Sequence, residues 1–162
     1  STAHYLLEIA PVIRSLQRKH AVSAIAIGAR PDQVDGTPFQ AVAWTEAEEA
    51  KLLASFDIGI MPLVDSPWSR GKCGYKLIQY MACGLPVVAS PVGVNREIVK
   101  PGINGELADS ACEWEEALSA LICDAGLRQR LGDEGRRCVE EWYSLQAQAP
   151  RLIRVLQEAR NR

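Results

Sequence analysis

Apolar residues open the chain at helical spacing. Leu6, Leu7, Ile9, Ala10, Val12, Ile13 and Leu16 give a broad apolar face over about Ala3 to Lys19, with Ser1 or Thr2 placed as N-cap. Pro11 falls inside this run, removes a backbone donor, and is expected to kink the helix or divide it. The period then changes. Ala21 to Ile27 is a continuous β-prone run that stops at Gly28-Ala29-Arg30-Pro31, as a buried parallel strand would. Phe39 to Trp44 predicts a second strand, Thr45 caps a helix running through Ser55 with acidic residues in its first turn, and Asp57 to Pro62 predicts a third strand. Leu77, Ile78, Met81 and Ala82 line one face of a short helix that ends at Gly84 and Pro86. Pro86 to Ser90 is the next strand, followed by a helical turn ending near Val99, a turn at Gly102-Ile103-Asn104-Gly105 and a brief strand, Glu106 to Ala108. Helices of about Cys112 to Cys123, Gly126 to Trp142 and Leu145 to Asn161 complete the pattern. This alternation predicts an α/β domain, a doubly wound parallel sheet flanked by helices, with its ligand at the carboxyl ends of the strands.

Size and charge narrow the function. The 162 residues, 48% hydrophobic, fit one domain with an ordinary core. A formal charge of −2 supplies no global field for nucleic acid or membrane, so any anion site must be local. The five cysteines, Cys73, Cys83, Cys112, Cys123 and Cys138, are odd in number and show no metal-type pairing. Cys83, Cys112 and Cys123 read as small apolar residues of helices, which fits a reducing cytoplasm. No run approaches the ~20 apolar residues of a membrane span, and no signal-peptide layout opens the chain. His4 and His20 are far apart and read as surface or cap residues rather than ligands.

The local anion site is predicted at the helix that starts near Lys76. Helix N-termini carry partial positive charge and favour Asp or Glu, yet Arg70, Lys72 and Lys76 gather here without a carboxylate among them, beside Gly71 and Gly74. Unpaired N–H groups with two or three cations suit a phosphate or diphosphate. A solvated basic turn is the plainer alternative. Just upstream, Asp65 could bind sugar hydroxyls or simply form a turn with Ser66-Pro67, and Trp68 could stack on a sugar or base or cover a core edge.

Gly74, the run from Lys76 to Ser90 with its Tyr80-Met81-Ala82-Cys83-Gly84-Leu85-Pro86-Val87-Val88 centre, Gly93, Glu97-Ile98-Val99 and Gly102-x-Asn104-Gly105 resemble the donor-binding half of family 4 glycosyltransferases. The resemblance covers nearly the whole chain and implies one half of a GT-B fold, with residues 1–162 as the C-terminal, nucleotide-sugar-binding domain and the N-terminal acceptor domain absent. It implies a retaining transfer of a hexose from a uridine or guanosine diphosphate, with no metal and no cofactor. The diphosphate would meet Lys72 and Lys76 as catalytic charges, Arg70, and the backbone of Gly71, Cys73, Gly74 and Tyr75. Gln79 would bond the ribose, Gly28 and Arg30 the nucleobase, and Ser1 and Thr2 part of the diphosphate. The family's glutamate pair falls on Gly71 and Gln79, so neither carboxylate is kept, and Asp65 is the candidate substitute.

The family domain also begins with a central strand before the first helix, so the resemblance predicts a slot between the Ala21 and Asp57 strands. Core exposed by that absence would favour a homo-oligomer. In two-domain relatives the last helix crosses to the partner domain, leaving Leu152, Ile153, Val155 and Leu156 partly exposed here. Peripheral membrane association of a full-length enzyme is compatible with this layout, and the chain alone is expected to be inactive. Three other readings stand beside it: a non-catalytic module derived from such a domain, a sugar-nucleotide epimerase domain, and a dinucleotide-binding oxidoreductase, which lacks its glycine fingerprint here.

Overall fold

In a computed structural model describing residues 4–160, α1 (His4–Lys19) leads into β1 (Ala24–Ile27), α2 (Pro31–Val34), β2 (Phe39–Val42) and α3 (Glu46–Leu53). Then come β3 (Gly59–Met61), α4 (Pro67–Arg70), α5 (Tyr75–Ala82), β4 (Val87–Ala89), α6 (Asn95–Ile98) and β5 (Gly105–Leu107). The chain closes with α7 (Ala111–Cys123), α8 (Ala125–Trp142) and α9 (Leu145–Arg160). Pro11 does not divide α1. It is solvent-exposed, and the carbonyl left without a donor belongs to Leu7, itself 53% exposed, so water can take the missing bond.

All strand pairs are parallel, but they form two sheets, β1–β2 and β3–β4–β5. The predicted slot is there. Residues 25–27 of β1 and 58–61 around β3 line one cavity of about 880 Å³, and no backbone hydrogen bond joins these strands among the described residues. β4 shows why the sequence reads so continuously apolar. Val88 joins one core cluster with Leu16, Trp114 and Leu131, while Val87 and Ala89 turn to the other with Leu77, Met81 and Val139. Alternate residues therefore serve opposite layers, and none of the three is accessible to solvent.

Two details depart from the sequence pattern. Thr45 precedes α3, but its hydroxyl bonds the Glu48 carboxylate at 3.4 Å and caps no backbone N–H. Cys112 and Cys123 are exposed rather than packed as small apolar residues. Each sits two positions from a buried residue of α7, Trp114 and Leu121, which places it on the opposite side of that helix. No residue of α9 is buried, and Leu152, Ile153, Val155 and Leu156 are indeed exposed.

Candidate functional site

The cavity opens at the carboxyl ends of β1, β2 and β3, where a parallel sheet presents its loops. Gly28 and Arg30 reach it from the end of β1, Trp44 from the end of β2, and Gly71, Lys72, Cys73, Tyr75, Lys76 and Gln79 from the loop and first turns of α5. Gly74 fixes the entry to that helix. It occupies the N-cap with φ +68°, and a Cβ there would lie 2.4 Å from Ile98 Cδ1. The helix starts where it does because only glycine fits this position.

Backbone donors divide between two uses. The Gly71 and Lys72 N–H groups donate to the Ser69 carbonyl, the latter at 3.2 Å. Among the described residues, the N–H groups of Cys73, Gly74, Tyr75 and Lys76 take no partner. They join the positive end of the α5 dipole to the two lysines. Neither Lys72 nor Lys76 forms an ion pair among the described residues. Lys76 is solvent-exposed as a residue, yet crowding around its ammonium lowers its pKa below the ordinary lysine value, the charge of Lys72 adds to this, and Glu49 opposes it.

Other expected residues are engaged elsewhere. Arg70 grips Asp65 through two bonds of 2.7 and 2.9 Å, and neither lines the cavity. That pair holds the Asp65 carboxyl below and the Arg70 guanidinium above their ordinary values, chiefly through the hydrogen bonds. Arg30 lines the cavity but is bound in the same two-pronged way to Asp32, at 3.0 and 2.8 Å. Trp68 is 78% exposed and stands outside the lining. Ser1 and Thr2 lie outside the described residues.

The structure also adds lining residues that the sequence reading passed over. Glu49 is the one carboxylate lining the cavity among the described residues, and its Oε1 accepts the Trp44 indole N–H at 2.9 Å. Tyr80 also lines it, its phenol held above the usual tyrosine value by burial and then by Glu49. The rule that singled out Gly28 after β1 would have singled out Trp44 after β2. Tyr5 enters from α1 with no comparable local signal. Two lysines without an ion pair, Arg30 already bound by Asp32, the amides of Gln33 and Gln79, one carboxylate and N–H groups unpartnered among the described residues surround a mainly apolar cleft. That set suits an anionic ligand that also carries hydroxyl groups.

The family model for glycosyl transferases group 1 matches residues 2–124. Alpha-maltose-1-phosphate synthase of Mycobacterium tuberculosis is 35% identical over 101 residues, which is 57% of this chain and 25% of the relative. The chain spans about a quarter of the length of the curated relatives it matches. The C-terminal domain of a glycosyl transferase group 1 family protein from Francisella tularensis superposes with a TM-score of 0.70 at 20% identity, covering 89% of this chain and 80% of that domain. HepE from Anabaena, solved in complex with UDP-glucose, gives 0.73 at 16% identity over 93% of this chain and 45% of that one. These likenesses establish the same fold. No described helix is long and apolar enough to cross a membrane.

Proposed function

The chain belongs to the group 1 glycosyl transferases, and from that premise we propose that it is the donor-binding, C-terminal domain of a GT-B enzyme that transfers a hexose from a nucleoside diphosphate with retention. The observation that carries this reading is the convergence of Lys72, Lys76 and the first N–H groups of α5 on one cavity, with no partner for those N–H groups and no ion pair for either lysine among the described residues. Charge on the departing diphosphate is the main barrier in such a transfer. Fixed N–H dipoles and ammonium groups aimed at it lower that barrier without reorganising, and no metal is needed in this scheme. Gln79 offers a carbonyl and an amide to the ribose. Glu49 is the carboxylate placed to accept from hydroxyls, whereas Asp65 would first have to release Arg70. At the nucleobase end the Arg30 guanidinium is engaged by Asp32 and the Gly28 N–H donates to the Val42 carbonyl, which leaves the Gly28 carbonyl as the available contact.

The likeness to a fold that holds UDP-glucose makes a uridine diphosphate hexose the first donor to test, with guanosine diphosphate second. The acceptor domain would lie elsewhere in a longer, cytoplasmic protein, leaving the 162 residues inactive by themselves. Proton NMR of the sugar first released from the donor by the full-length protein should show the donor's own anomeric configuration. An inverted product would overturn retention, and turnover by residues 1–162 alone would overturn the division of labour. The absence of carboxylates at Gly71 and Gln79 favours one other reading, a non-catalytic module, which predicts no nucleotide binding at all.

Lys76 supplies a pH signature. A bound diphosphate favours its charged form and raises a pKa that the free protein holds low, so binding takes up a proton in the interval between the two values. Affinity is therefore expected to fall as pH rises toward the ordinary lysine value of about 10.4, and Lys76→Arg, charged throughout, should flatten the dependence in nucleotide titrations. The unliganded protein should gain stability over the same alkaline window, because there the unfolded chain binds more protons.

A further inference from the structure

We propose that Tyr5 is a positioning residue for Lys72, holding that ammonium at the mouth of the cavity before a ligand arrives. The inference rests on the donor-site reading above and adds a residue from the first helix of the chain. Lys72 lies in the short connection between α4 and α5, and its four-carbon stem would otherwise sample many rotamers. Its Nζ stands 5.7 Å from the centroid of the Tyr5 ring, within the range where the ring quadrupole attracts a cation. Both residues line the cavity.

The ring itself is held firmly. Tyr5 is 5% exposed, and its hydroxyl shares a hydrogen bond of 2.8 Å with Ser69 Oγ, in which either oxygen can donate. Ser69 is 1% exposed and also bonds Ser66 Oγ at 3.0 Å, while the Ser69 N–H donates to that same Ser66 oxygen at 3.1 Å. Its carbonyl accepts the Lys72 N–H. Tyr5 therefore reaches Lys72 twice, through its ring to the ammonium and through Ser69 to the backbone. A cation already placed loses less freedom when the ligand binds, which corresponds to roughly three- to tenfold in affinity.

The test is a double-mutant cycle in the full-length protein, titrated with uridine diphosphate and guanosine diphosphate. Tyr5→Leu is expected to weaken binding about three- to tenfold, Tyr5→Phe to retain most of it by keeping the ring, and Tyr5→Leu to add less than about twofold once Lys72→Ala is present. Equal losses in both backgrounds, or no loss in either, would overturn the inference. If Lys72→Ala alone leaves a measurable affinity unchanged, the donor-site role of Lys72 fails and this inference fails with it. If Lys72→Ala weakens binding but Tyr5→Leu does not, only the positioning role fails. NMR keeps the question answerable should Tyr5→Leu not fold. The ε-methylene protons of Lys72, assigned by their loss in Lys72→Ala, should be shifted by the ring current in both the native protein and Tyr5→Phe, and an unshifted signal would overturn the contact.

Discussion

Gly132→Ala is expected to destabilise the protein by about 3 kcal/mol or more, measured as a fall in the denaturant midpoint at unchanged slope. A Cβ at this position would lie 2.0 Å from the Gly84 carbonyl oxygen and 2.9 Å from its carbon, so backbone rather than a flexible side chain would have to yield. The gain of about 1 kcal/mol from alanine's better helix propensity cannot offset that. Three residues on, Gly135→Ala provides the contrast, since its Cβ would meet Met81 Cγ at 3.0 Å and Cβ at 3.3 Å, a milder crowding by side-chain atoms that a shift of a few tenths of an ångström relieves. There the propensity gain and the crowding should nearly cancel. The first substitution also bears on function, because the turn at Gly84 ends α5, the helix that carries Lys76 and Gln79.

The second large effect is expected from Lys72→Ala combined with Lys76→Ala. A hydrogen bond between charged groups contributes roughly 1.5–3 kcal/mol, so removing two should weaken nucleotide binding by at least about a hundredfold. The stabilisation that saturating nucleotide confers on thermal unfolding should disappear with it. The unliganded variant should melt close to the native protein, since among the described residues the contact of Lys72 with the Tyr5 ring is the one interaction given up, and it contributes only about 0.5–1 kcal/mol. Neither lysine has an ion-pair partner among the described residues, and Lys76 carries a desolvation cost that alanine removes. A variant that unfolds early would instead make these lysines structural.

How much of this could be read in advance depended on the range of the interactions. β4 was legible because a strand buried on both faces needs apolar residues at every position, and Val87, Val88 and Ala89 meet that need locally. The cationic entry to α5 was legible because charge at a helix terminus is a matter of a few adjacent residues. The partners were not. Asp65 and Arg70 read as two free groups until the single turn of α4 folds one onto the other, and four residues beginning with Pro67 carry too little pattern to predict that turn. Tyr5 and Ser69 are 64 positions apart, so nothing near either one signals their bond. Cys112 and Cys123 misled because composition does not say which side of a helix a residue occupies, whereas their spacing from Trp114 and Leu121 does.

The most direct test of the donor-site reading is a calorimetric titration of the full-length protein with uridine diphosphate and with guanosine diphosphate. Saturable binding of one nucleotide at a single site is the predicted result. A protein shown to be folded that binds neither would contradict the reading and leave the cavity to a non-catalytic role.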